Sequence, residues 1–269
     1  MSSPTTPRVL RLALLVAGTP PPAVVAKYGD YPFLYRRILR KGLQAHHEDA
    51  ALELSLRDYD VVHRQEYPTD AELMAGEIDG IVITGSAASA YEDKEWVWRL
   101  VAFTKRVYEE FPRVKMLGIC FGHQIVGMAA GGTVEKNAKG WEFGFTETKL
   151  TPMGQKVFGT DKEFINIQEV HQDHVPSLPP NFHLLATTAP HTPVQATLSA
   201  NGQVLTVQGH PEFPAGFVEE LLRIRMAKGI VTEELFSQSL RTLYREGVDD
   251  VWIAGKMIEF LSGRWDGKF

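Results

Sequence analysis

Apolar residues follow two rhythms along this chain, and the change between them divides it. Val9 to Val16 is an apolar run broken only by Arg11, the pattern of a strand buried on both faces. Gly18-Thr19-Pro20-Pro21-Pro22 ends that run, and Phe33, Leu34, Ile38 and Leu43 then recur at roughly helical spacing over 33–45. Leu52, Leu54 and Leu56 alternate in a second strand over 52–62, after which Pro68 and Asp70 open a short helical piece. Asp79 to Thr84 reads as a third strand, Trp96 to Glu110 as a long amphipathic helix, and Val114 to Ile119 as a fourth strand. The last of these runs into an apolar helix that begins around Ile125 and ends at Gly131-Gly132. Strand and helix alternate four times, which predicts an α/β fold built on a doubly wound parallel sheet.

Past Gly131 the rhythm changes to short strands at Thr133-Val134, 143–150, 164–170, 184–188, 194–198 and 204–207. Pro179-Pro180-Asn181 and Asn201-Gly202 punctuate them, and Asn-Gly between alternating apolar residues predicts a hairpin. Beyond Pro214 three amphipathic helices are expected, over 217–228, 233–246 and 251–261. The expected organisation is a disordered Ser/Thr/Pro-rich segment over 1–8, one domain over 9–213, and a helical extension over 214–269 packed on that domain.

Composition narrows the class. A net charge of −5 gives no electrostatic support for a nucleic-acid partner. One cysteine excludes an internal disulfide framework and fits a reducing compartment. Leu10 to Ala17 is too short to span a membrane, and the N-terminus lacks the basic and apolar regions of a signal peptide. The expected location is the cytoplasm.

That single cysteine, Cys120, falls on the predicted strand-to-helix turn, in Gly118-Ile119-Cys120-Phe121-Gly122-His123-Gln124. Glycines two residues to either side suit a nucleophile elbow, where a strained turn packs closely against its neighbours. A thiol there sits at a helix N-terminus, where backbone N–H groups favour a thiolate and any oxyanion. A free thiol is mostly protonated near neutral pH and needs a base. The strand at 204–207 leads into Gly209-His210-Pro211-Glu212, which places a histidine and a carboxylate together. In an extended stretch His210 and Glu212 would point the same way, so Glu212 would orient the imidazole. Cys120, His210 and Glu212 thus form a candidate acyl-transfer triad. The Phe121 N–H and the loop Gly85-Ser86, after the third strand, are candidates for an oxyanion hole. His171 and His174 flank Asp173 in an H-x-x-H pair, but no further Cys/His cluster has ligand spacing, so no metal is expected. His123 is expected to pack and hydrogen-bond within the first helical turn, and Trp141-Glu142 either to line a pocket or to pack.

Gly-Ile-Cys-Phe-Gly-His-Gln followed by Gly-His-Pro-Glu-Phe resembles the class I glutamine amidotransferases over roughly 10–213. Tyr28-Gly29-Asp30-Tyr31, Ile83-Thr84-Gly85-Ser86, the 140–144 stretch Gly-Trp-Glu-Phe-Gly and the 171–175 stretch His-Gln-Asp-His-Val resemble one branch of that family. That branch contains stand-alone fungal and plant proteins, γ-glutamyl peptidases among them. The resemblance implies a flavodoxin-like sheet and no cofactor. It implies Cys120 as nucleophile, His210 as acid–base and Glu212 as its orienter. It places Gln124, Asp173, His174 and Val175 against the glutamyl group. This chain departs from the relatives that read Ser-x-Asn-His-Gly near 171–175, and from synthase-linked members that carry Gly-Gly-Pro where Gly85-Ser86-Ala87 stands here.

The expected activity is cleavage of a γ-glutamyl amide, with a small γ-glutamyl peptide such as glutathione or its conjugate as donor. No fused synthase domain is present to consume ammonia, which favours this over a glutaminase serving a separate synthase partner. A non-catalytic protein that retains the pocket is a third reading.

Overall fold

The computed structural model describes residues 7–46 and 52–264. The elements run β1 (Arg8–Val16), α1 (Pro22–Tyr28), α2 (Tyr31–His46), β2 (Leu52–Asp60), α3 (Asp70–Met74), β3 (Gly80–Ile83), α4 (Glu95–Glu110), β4 (Lys115–Ile119) and α5 (Phe121–Ala129). Then follow β5 (Glu135–Lys136), β6 (Glu142–Leu150), α6 (Pro152–Phe158), β7 (Phe164–His171), β8 (Asp173–His174), β9 (Phe182–Thr187), β10 (Ala196–Ser199) and β11 (Val204–Val207). Three helices close the chain: α7 (Ala215–Ala227), α8 (Glu233–Thr242) and α9 (Asp250–Leu261). Of the expected disordered segment, residues 1–6 lie outside the described residues, while Arg8 already opens β1.

One nine-stranded sheet carries the fold, in the order β2-β1-β3-β4-β11-β10-β9-β6-β7. From β2 to β11 every neighbouring pair is parallel, with the 2-1-3-4-5 order of flavodoxin-like sheets. From β11 onward every pair is antiparallel. The change follows from the connections, because parallel neighbours need crossovers whereas antiparallel ones close through short turns. The Asn201-Gly202 turn joins β10 to β11, with Gly202 at φ 66°.

Side chains of β1 alternate between two cores. Leu10, Leu12 and Leu14 enter the layer that holds α2, α7 and α9, while Ala13 and Leu15 enter the layer under α4 and α5. A strand sandwiched this way is apolar on both faces, which is why its sequence from Leu12 to Val16 shows no polar face. The helix α9 belongs to that first core through Ile253, Met257, Ile258, Phe260 and Leu261, and it crosses α2 closely at Gly42.

Two short helices escape the sequence pattern. Pro22, read as part of a break, and Pro152 occupy the opening turns of α1 and α6, where the missing N–H is not needed. Thr151 caps α6 by accepting from the Gly154 N–H at 3.0 Å. The strand expected at Thr133-Val134 forms instead at Glu135–Lys136, paired with β8. Among the described residues no helix is long and apolar enough to cross a membrane.

Candidate active site

Cys120 stands between the end of β4 and the start of α5, with φ 52° and ψ −104°. A non-glycine residue at positive φ costs on the order of 1–3 kcal/mol, and it persists only where the surroundings enforce it. Here they do. A Cβ on Gly118 would lie 2.6 Å from the Gly122 carbonyl oxygen, and one on Gly122 would run into the Ile83 carbonyl. The elbow therefore closes only with hydrogen at both positions. The Cys120 N–H donates to Val207 O at 2.9 Å, which ties the elbow to β11, the strand that delivers the histidine.

His210 and Glu212 follow β11, but not in the extended conformation expected. The chain turns through Pro211 and Glu212, and the Phe213 N–H donates back to His210 O at 3.4 Å. The turn still brings His210 Nδ1 to 2.7 Å from Glu212 Oε1. The His210 ring also interacts with Cys120, beside which it lines the same cavity. Burial alone would lower the His210 pKa, but the charges of Cys120 and Glu212 outweigh it and raise the value to about 10. Sulfur anion beside imidazolium is the state in which a cysteine attacks a carbonyl. Phe213 stacks on the imidazole at 4.0 Å with the planes 9° apart, and Phe217 stacks on Phe213 at 4.1 Å.

The oxyanion candidates separate. Phe121 is the first residue of α5, and first-turn N–H groups have no acceptor within their own helix. The Gly85 N–H is already committed, donating to the buried Tyr35 hydroxyl at 3.1 Å, so Gly85 is removed as a donor. Ser86 lines the cavity beside Cys120 and is left as the second backbone candidate. Gly85 has a steric role instead, since a Cβ there would come within 2.9 Å of His210 Cε1.

Cys120 and His210 open onto a cavity of about 390 Å³, which Tyr31, Ser86, Gln124, Trp141, Asp173 and Arg225 help to line. Gln124 Nε2 donates to Asp173 O at 3.0 Å and Gln208 Oε1 at 3.2 Å, so the elbow helix holds the 173 backbone. The Asp173 carboxylate accepts from the Tyr91 hydroxyl at 3.0 Å. The other two expected contacts turn away. Val175 is fully buried in the core beneath α4 and α5, where its size suits the space over Gly127, and His174 faces Glu135 at 3.7 Å.

His171 is held by protein groups on both ring nitrogens. Nε2 lies 3.0 Å from Glu142 and 3.3 Å from Glu169, and Nδ1 is 3.0 Å from Asp173 O. Burial opposes its charge, yet the two carboxylates raise its pKa well above the usual value. Burial likewise opposes the charge on Glu142, but His171, Thr188 and Thr192 lower its pKa to about 2. Trp141 and Glu142 thus divide, the first lining the cavity and the second turned inward. His123 is buried, its pKa lowered to about 3 by burial, and its Nδ1 lies 2.7 Å from Thr206 Oγ1. Tyr31, Tyr35 and Arg225 escaped the sequence reading as site residues. Each looks like an ordinary member of an amphipathic helix until the fold turns it toward the elbow.

A buried cysteine, histidine and glutamate thus meet at the carboxyl ends of a 2-1-3-4-5 parallel sheet, the edge at which doubly wound α/β proteins bind their ligands. The chain belongs to the class-I glutamine amidotransferase family, whose sequence profile matches residues 49–222. It is 34% identical over 251 residues to a glutamine amidotransferase-like protein of Schizosaccharomyces pombe, covering 93% of this chain and 98% of that one. It is 30% identical over 188 residues to gamma-glutamyl peptidase 4 of Arabidopsis thaliana, covering 68% of this chain and 72% of that one. Its fold is similar to that of a Thermotoga maritima glutamine amidotransferase, with a TM-score of 0.66, 17% identity, and coverage of 94% of this chain and 98% of that one.

Proposed function

We propose that this protein cleaves γ-glutamyl amides through a γ-glutamyl thioester on Cys120, with small γ-glutamyl peptides such as glutathione or its conjugates as donors. The observation that carries the reading is His210 seated between the Cys120 sulfur and Glu212 at the mouth of one cavity. The sulfur attacks the γ-carbonyl carbon, and the oxygen's developing charge meets the N–H groups of Phe121 and Ser86. The C–N bond breaks as the His210 imidazolium gives its proton to the leaving amine. Water then attacks the thioester and passes a proton to His210; glutamate leaves and the sulfur is regenerated. Glu212 holds the imidazole in the orientation that both steps need. Gln124 and Asp173 receive the glutamyl head, the Asp173 carboxylate facing its α-ammonium. Similarity to an Arabidopsis γ-glutamyl peptidase supports a peptide donor.

Mass spectrometry of products from glutamine, glutathione and a glutathione S-conjugate tests this. Glutamate plus a cysteinyl-glycine product is expected, with turnover reduced by several orders of magnitude in Cys120→Ala. Glutamate and ammonia from glutamine alone would replace the peptidase reading with that of a glutaminase. Full turnover in Cys120→Ala would end the thioester mechanism.

A further inference from the structure

The cavity holds a cation that the triad does not use. Arg225, on α7, lies over the Trp141 ring at 5.0 Å and the Phe143 ring at 5.4 Å. Its Nη1 is buried with no hydrogen-bond partner, and among the described residues no carboxylate comes within ion-pair distance. A buried donor left without a partner is costly, so a ligand that completes Nη1 gains correspondingly. Lys136 and Lys228 also line the cavity, and Asp173 is the single carboxylate among its lining residues. A chain of net charge −5 has therefore gathered positive charge around this opening.

The side on which Arg225 stands identifies what it would meet. His210 must protonate the departing nitrogen, so the leaving half of the substrate extends from the His210 side. Phe213 stacks on His210, and Tyr31 stacks on Phe213 at 6.2 Å and lines the same cavity as Arg225. Asp173, by contrast, is tied through Gln124 to the elbow helix. We propose that Arg225 binds the terminal carboxylate carried by the leaving half of a γ-glutamyl peptide, and so selects such peptides over glutamine. The assignment of the leaving side rests on the hydrolytic mechanism proposed above. A guanidinium presents a planar fork to a carboxylate, and its stacking on Trp141 and Phe143 fixes the plane of that fork in advance.

Calorimetric binding to the Cys120→Ala protein tests this without turnover. The probes are γ-glutamyl-cysteinyl-glycine and the same peptide with its C-terminus amidated. The free acid is expected to bind about tenfold more tightly, as one charge-assisted hydrogen-bonded pair provides. Adding Arg225→Met, whose side chain still covers the aromatic rings, should erase that preference. Arg225→Lys should retain part of it, as a point charge without the fork. If the methionine variant fails to show native near-ultraviolet circular dichroism, the acid-to-amide ratio in the Cys120→Ala parent and in Arg225→Lys decides. Equal affinity for acid and amide in the parent, a preference that survives Arg225→Met, or no binding of either peptide would overturn the assignment. Glutamate release by the unmodified protein judges the hydrolytic reading separately. A protein that prefers the acid through Arg225 but releases no glutamate would keep the subsite and lose the reaction.

Discussion

At the scale of single residues, His210 works under opposing influences. Burial resists its charge, while Cys120 and Glu212 hold the proton on the ring up to about pH 10. A proton held that firmly is available to the leaving amine throughout the neutral range. Activity that depends on it should fall only as the pH rises through that value. In Glu212→Gln one of the raising charges is gone, so the alkaline limb of the kcat/KM profile should move to lower pH. The acylation rate should drop by about 10²- to 10⁴-fold, the range seen when an orienting carboxylate is replaced by its amide or removed. Substrate binding should stay near that of the parent, because Glu212 is fully buried behind His210. Stopped-flow acylation rates across pH measure both; an unmoved limb with an unchanged rate would remove Glu212 from the triad. These residues were readable in one dimension because the elbow and Gly-His-Pro-Glu are local patterns. Arg225, Tyr35 and the Glu142–His171–Glu169 cluster were not, since each acquires its meaning from chain far away in sequence. His174 misleads for a related reason: in β8 it faces away from its neighbour Asp173, toward Glu135, so consecutive residues of a motif do not all meet one ligand.

At the scale of elements, the β4–α5 elbow is a strained joint held shut by contact with β3. Gly122→Ala would push a methyl group into the Ile83 carbonyl, a backbone atom that cannot rotate aside. Overpacking of this kind costs about 1–3 kcal/mol, and relief here would have to come from moving the Cys120 turn itself. Thermal unfolding should show that loss, together with a fall in activity larger than the stability change explains. Activity at the parental level in a destabilised variant would show that the elbow tolerates rearrangement. The periodicity located β4, α5 and both glycines, but the reason for each glycine lies across the sheet. The hairpin at Asn201-Gly202 was equally legible, because its chemistry is contained in the turn. The short helix α1 was hidden because its proline, read in isolation, signals interruption, whereas in context it begins a helix.

At the scale of the whole molecule, the last helix is part of the main core. Ile253, Met257, Ile258, Phe260 and Leu261 are buried between α2 and the sheet. Burying five such side chains is worth about 1.5–3 kcal/mol each, which together approaches or exceeds the ~5–15 kcal/mol stability of a typical domain. A chain ending at Val248 should therefore lose its cooperative thermal transition, as followed by circular dichroism. A truncated protein that melts cooperatively near the parental temperature would contradict this role. The helix α7 has a different consequence. The family profile ends at residue 222, three residues before Arg225, within a helix whose opening half lies inside the shared module. Leu221 and Leu222 seat this helix in the core one turn before Arg225 reaches the cavity, so any change that shifts that packing carries the guanidinium with it.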